Sequence, residues 1–346
     1  MKLLLKLLSL VSVTLWILSC DSNEPTDELK PGRRDYVWTI DTIDHQSAEL
    51  IRMWGSSPTD VWATSDGDND KSIAHFLGQQ WSFYGVNGLW SVHSIFGFTP
   101  NDVYIAGAGN EVWRYDGSNW TKFAEIIKDG HTDLAFNDIW GKSPNDFYVF
   151  GGYPDSSGAF NNTVIAHYNH NKWTVLESEG ISGVGSNLYG SSKENVVYVL
   201  TYKLGGWVTV DSSIIYEYLN GVFNKIYSSV WTGGKQADIS LINDEVYFIL
   251  GQRIAKRVNG QFQTVLQVDN LEFYQSIWGR NSKDIFLMMK DGLVHYNGSD
   301  MVYMQHFNKR PTHILGAALF EKEVFFLVLE ASTHLNFIYH GILNLE

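Results

Sequence analysis

The sequence predicts an all-β protein, a seven-bladed β-propeller of four-stranded antiparallel blades, and three observations carry that expectation. First, a phrase recurs. Met53-Trp54-Gly55-Ser56-Ser57-Pro58-Thr59-Asp60-Val61-Trp62 returns as Ile95-Phe96-Gly97-Phe98-Thr99-Pro100-Asn101-Asp102-Val103-Tyr104, as Ile139-Trp140-Gly141-Lys142-Ser143-Pro144-Asn145-Asp146-Phe147-Tyr148, and as Ile277-Trp278-Gly279-Arg280-Asn281-Ser282-Lys283-Asp284-Ile285-Phe286. Second, the glycine of this phrase is a ruler. It falls at Gly55, Gly97, Gly141, Gly190, Gly279 and Gly316, and the double interval before Gly279 holds a degenerate copy at Asp238-Ile239-Ser240-Leu241. A repeat of about 45 residues built from strands and turns is that of a propeller. Third, the runs between copies are separated by hairpin signals such as Asn220-Gly221 and Asn259-Gly260, a dipeptide that supplies the two positive φ values of a tight turn.

Four strands are legible in each unit. Strand A ends in the recurring phrase, whose Pro-Asn-Asp element makes the turn into strand B. Strand B follows the acid, as in Val103-Tyr104-Ile105-Ala106 and Glu245-Val246-Tyr247-Phe248-Ile249-Leu250. Strand C spans Ile73 to Phe76, Val112 to Tyr115, Ile165 to Tyr168, Ile214 to Tyr218, Ile254 to Val258 and Leu293 to Tyr296. Strand D begins at Trp81, Trp120, Trp173, Phe223, Phe262 and Met301. The last unit, ending at Ile338-Tyr339-His340-Gly341-Ile342-Leu343, lacks a strand D. Tyr36-Val37-Trp38-Thr39-Ile40-Asp41, before the first strand A, has the Trp-Thr of one, like Trp120-Thr121 and Trp173-Thr174. The N-terminal strand is therefore expected to complete blade seven. Closure removes the exposed sheet edges on which open sheets aggregate. The propeller is expected over residues 36–346.

Composition agrees. Apolar residues are 44% and charged residues 18%, the balance of a globular chain, and aromatics reach 14%, which suits strands. The net charge is −13, and loss of residues 1 to 20, which carry Lys2, Lys6 and no acid, makes it −15. Such a surface repels phosphate backbones, so nucleic acid is not an expected partner.

The single cysteine, Cys20, follows a basic start and an apolar run from Leu7 to Leu18, a secretory signal too short to span a bilayer. Ile17-Leu18-Ser19-Cys20 resembles the lipobox of bacterial lipoproteins. That resemblance implies a signal peptide over 1–20, lipidation of Cys20 and anchorage in the cell envelope. The polar segment from Asp21 to Arg34 reads as a flexible tether over residues 21–35. Its acidic start resembles the export signal of surface-exposed lipoproteins in Bacteroidota-type bacteria, which implies an outer-membrane, surface-exposed location.

The blades themselves resemble bacterial secreted propellers that repeat Trp-Gly-Ser-Ser-Pro-Asn-Asp-Val-Tyr, of the broad WD-repeat and Kelch kind. The resemblance implies the fold and leaves hydrolases, lyases, lectins and scaffolds open, because this architecture hosts all of them.

Loop lengths break the sevenfold pattern. A-to-B and C-to-D turns are short, whereas B-to-C and D-to-A connections are long and emerge on one face, mainly over blades one to four. Those connections, which include Gly151 to Thr163 and Lys203 to Ser212, carry Trp90, Tyr153, Phe160, Trp207 and Trp231 among small polar residues. Rigid aromatics in such settings either pack their own loop or contact a sugar or a protein. A polar column adds to this. The residue two before each motif aromatic is Arg52, Ser94, Asp138, Asn187, Asp238, Ser276 or His313, at the expected channel mouth. The column is either a wet lining or a ligand site with Arg52, Asp138, Asp238 and His313 as charged contacts.

Asp66-Gly67-Asp68-Asn69-Asp70 resembles the start of a calcium loop, with Asp66, Asp68 and Asp70 at alternate positions, but Lys71 stands at the glycine position and Leu77 where a bidentate Glu belongs. No cofactor is expected beyond that weak calcium pattern. His167 and His170 are expected in solvent at a C-to-D turn. Nucleophile-elbow, phosphate-loop and zinc-helix motifs are absent. The expected function is non-catalytic binding of a glycan or partner protein on the long-loop face. The alternative is a carbohydrate-active hydrolase or lyase with Asp138, Asp238 and His313 as acid and base.

Overall fold

The computed structural model describes residues 29–43, 49–67, 70–204, 210–231, 237–308 and 311–344. The chain divides into a unit at Met1–Lys30, of which Leu29 and Lys30 are described, and the unit Pro31–Glu346, which holds every described strand. Twenty-eight strands form seven separate four-stranded antiparallel sheets, as the repeat predicts. Six sheets take four consecutive strands. The seventh runs Tyr36–Ile43, Leu335–Leu343, Glu323–Glu330, Thr312–Leu319, so the first strand of the chain is the outer strand of the last blade. Its register sets Trp38 opposite Gly341.

The innermost strand of each blade explains the recurring phrase. In four blades a glycine there is a socket for a side chain from the preceding blade. A Cβ on Gly97 would stand 2.5 Å from the Trp54 ring, one on Gly190 2.8 Å from Trp140, one on Gly55 2.9 Å from Phe320, and one on Gly279 3.2 Å from Ile242. Each contact crosses one blade junction, so the wedge and its socket propagate the ring. Trp140 is almost fully buried by it.

The acid that opens strand B has a second role, which the sequence did not announce. It lies two residues before an aromatic ring, and that ring faces a basic side chain directly opposite on strand C. Asp60 bonds His75 at 2.7 Å, and Trp62 stacks on that imidazole at 3.4 Å. Asp146 bonds His167 at 2.7 Å, with Tyr148 parallel to it at 4.0 Å. Asp284 with His295 and Phe286, and Glu323 with His340 and Phe325, repeat the arrangement. In blades two and five the base is Arg114 or Lys256, each over a tyrosine ring. His167 is therefore not the solvent-exposed turn residue the sequence suggested. It is clamped in strand C, while His170 is exposed in the turn. Blade four departs from the pattern. Val196 replaces the acid, Glu217 replaces the base, and Arg257 of blade five reaches across to Glu217 at 2.8 Å.

Segment Pro31–Asp35, read from sequence as the end of the tether, lies on blade six. The Gly32 N–H donates to the Lys283 carbonyl at 2.8 Å, and Arg34 donates to the His295 carbonyl and to Asp300. Arg280 adds a bond to the Tyr36 hydroxyl at 2.7 Å.

Candidate binding surface and central cavity

The two faces differ as the loop lengths predict. Five A-to-B turns are two residues long, and the D-to-A connections run from five to nine residues. Two of the expected loop insertions are instead extended hairpins. In blade three the B and C strands pair out to Pro154 opposite Phe160, and in blade four out to Leu204 opposite Val210. Backbone pairing satisfies the peptide groups of the extra residues, which is why they lengthen strands rather than form coil.

The five loop aromatics have different fates. Trp90 is 70% exposed at the end of the D-to-A connection of blade one. Phe160 is exposed at the tip of the blade-three hairpin. Tyr153, on the same hairpin, packs on the core of that region and lies 5.0 Å from the His131 ring. Trp231 is held at the rim: its indole N–H donates to Ser213 Oγ at 2.7 Å, and its ring meets the edge of Tyr202. Trp207 lies outside the described residues. Other D-to-A connections expose Ile127 and Leu271, so large apolar side chains recur at blade junctions of this face. The sequence reading passed over both because isolated aliphatics carry no local signal.

Five of the seven polar-column residues, Arg52, Asp138, Asn187, Asp238 and Ser276, line a central cavity of about 430 Å³, and Ser94 is not among its lining residues. His313 does not join them. It stands at the Tyr274 ring, 5.3 Å away, and it is the following residues Ile314 to Ala317 that reach the cavity. In five of the seven A strands the register shifts at the column, as between Leu50 and Arg52 or Phe136 and Asp138; in blade seven it shifts past His313, between Ile314 and Gly316, and blade five runs straight through. Such bulges add one residue and re-aim side chains.

Much of the column's hydrogen bonding ties neighbouring blades together. Asp138 accepts from the Leu188 N–H at 2.8 Å and from the Ile139 N–H at 3.0 Å. Ser276 donates to Asp238 at 2.9 Å, and Ser94 donates to the Phe136 carbonyl at 3.3 Å. Arg52 reaches from blade one to the Asn137 carbonyl of blade three at 3.4 Å. Burial pushes the Asp138 carboxyl up to about 7, and the charge of Asp238 adds to the rise; the two N–H donors and Arg52 oppose it.

Asp66 of the calcium-like turn has protein partners. Asp66 accepts from Ser91 Oγ at 2.5 Å and faces His93 at 3.5 Å. Asp68 lies outside the described residues, as does Cys20. Among the described residues no group of three or more His, Cys, Asp or Glu side chains converges on a metal position.

Fold and cavity together define the class: a seven-bladed β-propeller with one elaborated face. No protein-family model and no curated protein sequence matches the chain. Solved structures do. The virginiamycin B lyase of Staphylococcus aureus, in complex with quinupristin, superposes with a TM-score of 0.65 at 13% identity, covering 89% of this chain and 100% of the lyase. YCF48 bound to D1 peptide gives 0.58 at 16% identity, covering 90% and 99%. The propeller domain of Cps50 (Swd1) from Myceliophteria thermophila gives 0.59 at 10% identity, covering 87% and 99%. At such identities the likeness is one of fold.

Proposed function

We propose that this propeller is a non-catalytic binding protein of the bacterial cell envelope. A lipid on Cys20 anchors it at the outer membrane, and its long-loop face takes a partner protein or a glycan. The observation that carries the reading is Trp90, whose indole stands 70% exposed on the elaborated face of a rigid ring. Trp is enriched where interfaces concentrate their energy, and burying this indole against a partner would gain the hydrophobic contribution that it does not make in the free protein. The fold neighbour bound to a peptide supports a protein partner. The test is capture of surface proteins and glycans from the native envelope by the wild-type chain and by Trp90→Ala. Equal capture by both would overturn the assignment of the face.

A second reading rests on Asp138. A buried carboxyl held near neutrality beside Asp238 and Arg52 in a central cavity has the character of a general acid, and one fold neighbour is a lyase. Product formation from the captured glycans, abolished by Asp138→Asn, would move the protein into the enzyme class.

A further inference from the structure

The junction of blades one and two opens to the side of the ring as a cleft of about 570 Å³. Four half-buried rings, Tyr84, Trp113, Tyr115 and Trp120, line it, and Asn87, Ser118 and Asn119 stand exposed at its rim. Among the described residues no Lys, Arg, Asp or Glu lines it. Its one imidazole, His75, is engaged by Asp60 and stacked under Trp62. The walls are rigid. The Trp113 N–H is fixed on Glu111 at 2.9 Å, and Tyr115 and Trp120 pack against each other at 5.2 Å. Asp116 accepts from the Ser118 and Asn119 N–H groups, both at 2.8 Å, and so holds the turn that presents Asn119. Opposite, the loop of Gly88, with φ of +96°, lies on the Trp113 ring.

From this we infer that the lateral cleft is a binding site for a neutral oligosaccharide. Sugar rings present apolar C–H faces that stack on aromatic planes, and hydroxyls that pair with amides and hydroxyls, and the cleft supplies both without a charge. A pocket of this volume is of the size that holds small ligands, roughly 300–1,000 Å³. An anionic glycan would meet no cation here and would approach a chain of net charge −13. The loop at Gly85 to Asn87 is shared with the depression that leads to Trp90, so a longer oligosaccharide can continue toward the elaborated face. The cleft adjoins the long-loop surface at the Gly85 to Asn87 loop but has aromatic walls of its own, so the two readings fail separately.

The experiment is an array of neutral glucans, mannans, xylans and galactans, with uronate-containing and sulfated glycans beside them, probed with the full-length protein. The tightest neutral oligosaccharide is then titrated by tryptophan fluorescence. Neutral glycans should bind and shift the emission of Trp113 and Trp120. Tyr115→Ala should weaken binding about tenfold or more, the loss expected for a central contact, and the rim substitution Asn87→Ala should weaken it by a smaller factor, about threefold. Asn87 and Asn119 are exposed, so alanine at those positions decides the matter even if Tyr115→Ala fails to fold. Retention of anionic glycans only, of none, or of neutral ones with unchanged affinity in Asn87→Ala and Asn119→Ala would overturn the inference. Loss of neutral-glycan binding in Trp90→Ala alone would also overturn it, while leaving the long-loop face standing.

Discussion

Asn336 of blade seven and Leu50 of blade one hold each other across the seam where the ring closes. The Leu50 N–H donates to Asn336 Oδ1 at 2.9 Å, and Asn336 Nδ2 donates to the Leu50 carbonyl at 3.1 Å, both inside the protein. One side-chain amide thus satisfies both backbone polar groups of a buried residue. Asn336→Leu should leave them unpaired and cost about 2–4 kcal/mol of stability, since each unsatisfied buried group costs about 1–3. Urea denaturation measures it. A loss within the roughly 0.5 kcal/mol of an ordinary surface change would mean the clasp is not holding the seam.

The socket model makes a sharper demand. Gly97→Ala places a Cβ 2.5 Å from the Trp54 ring, so the wedge must move or blades one and two must part. Stability should fall by about 1–3 kcal/mol, as for other overpacked cores. Trp54→Leu should cost stability by itself yet relieve part of the Gly97→Ala penalty. The double mutant should therefore be more stable than the two losses added together, and simple additivity would count against the socket.

Stability should depend on pH through Asp138. Its folded pKa is about 7, above the unfolded value of 3.8. Below the unfolded value both states are protonated and no penalty arises. Between the two values the unfolded chain releases the proton and the folded one keeps it, so stability falls as pH rises, and the penalty is complete above the folded pKa. The unfolding midpoint of the wild type, minus that of Asp138→Asn, should decline from about pH 4 to about pH 7 and then level. The difference isolates Asp138 from groups of opposite sign such as Asp284, whose carboxyl His295 and Arg280 hold low despite burial. A flat difference would show that Asp138 is ionised throughout.

Three tryptophans should separate by role. Trp90→Ala should leave the melting temperature nearly unchanged and abolish partner capture. Trp140→Ala, which empties a buried socket contact, should cost about 3–5 kcal/mol. Trp231→Ala should also cost stability, because it strips Ser213 of a donor and Tyr202 of a ring contact. Differential scanning fluorimetry ranks all three. Should Trp90→Ala unfold as readily as Trp140→Ala, that indole is structural.

Anchorage has its own test. Cys20→Ser should release the protein from the membrane fraction and abolish metabolic labelling with lipid. Wild-type protein recovered free in the periplasm would contradict the anchor.

Blade number, strand order and ring closure by the Trp38 strand were all legible in the sequence, because each rests on a signal within one repeat: an alternating run, a turn dipeptide, a glycine at constant spacing. Much of the channel lining was legible too, since Arg52, Asp138 and Asp238 hold equivalent places in alternate copies. His313 shows the limit. It holds the same place in its repeat, yet lies beside Tyr274 and away from the others, in a strand whose bulge differs in position from those of its neighbours. The lateral cleft was not legible at all. Tyr84 and Trp120 read as strand residues of separate blades, and only the wedge of one blade into the next sets their rings around a common space. Local periodicity determined the strands and their count. Contacts between blades, which depend on angles and bulges that no single repeat encodes, decided which of those residues share a site.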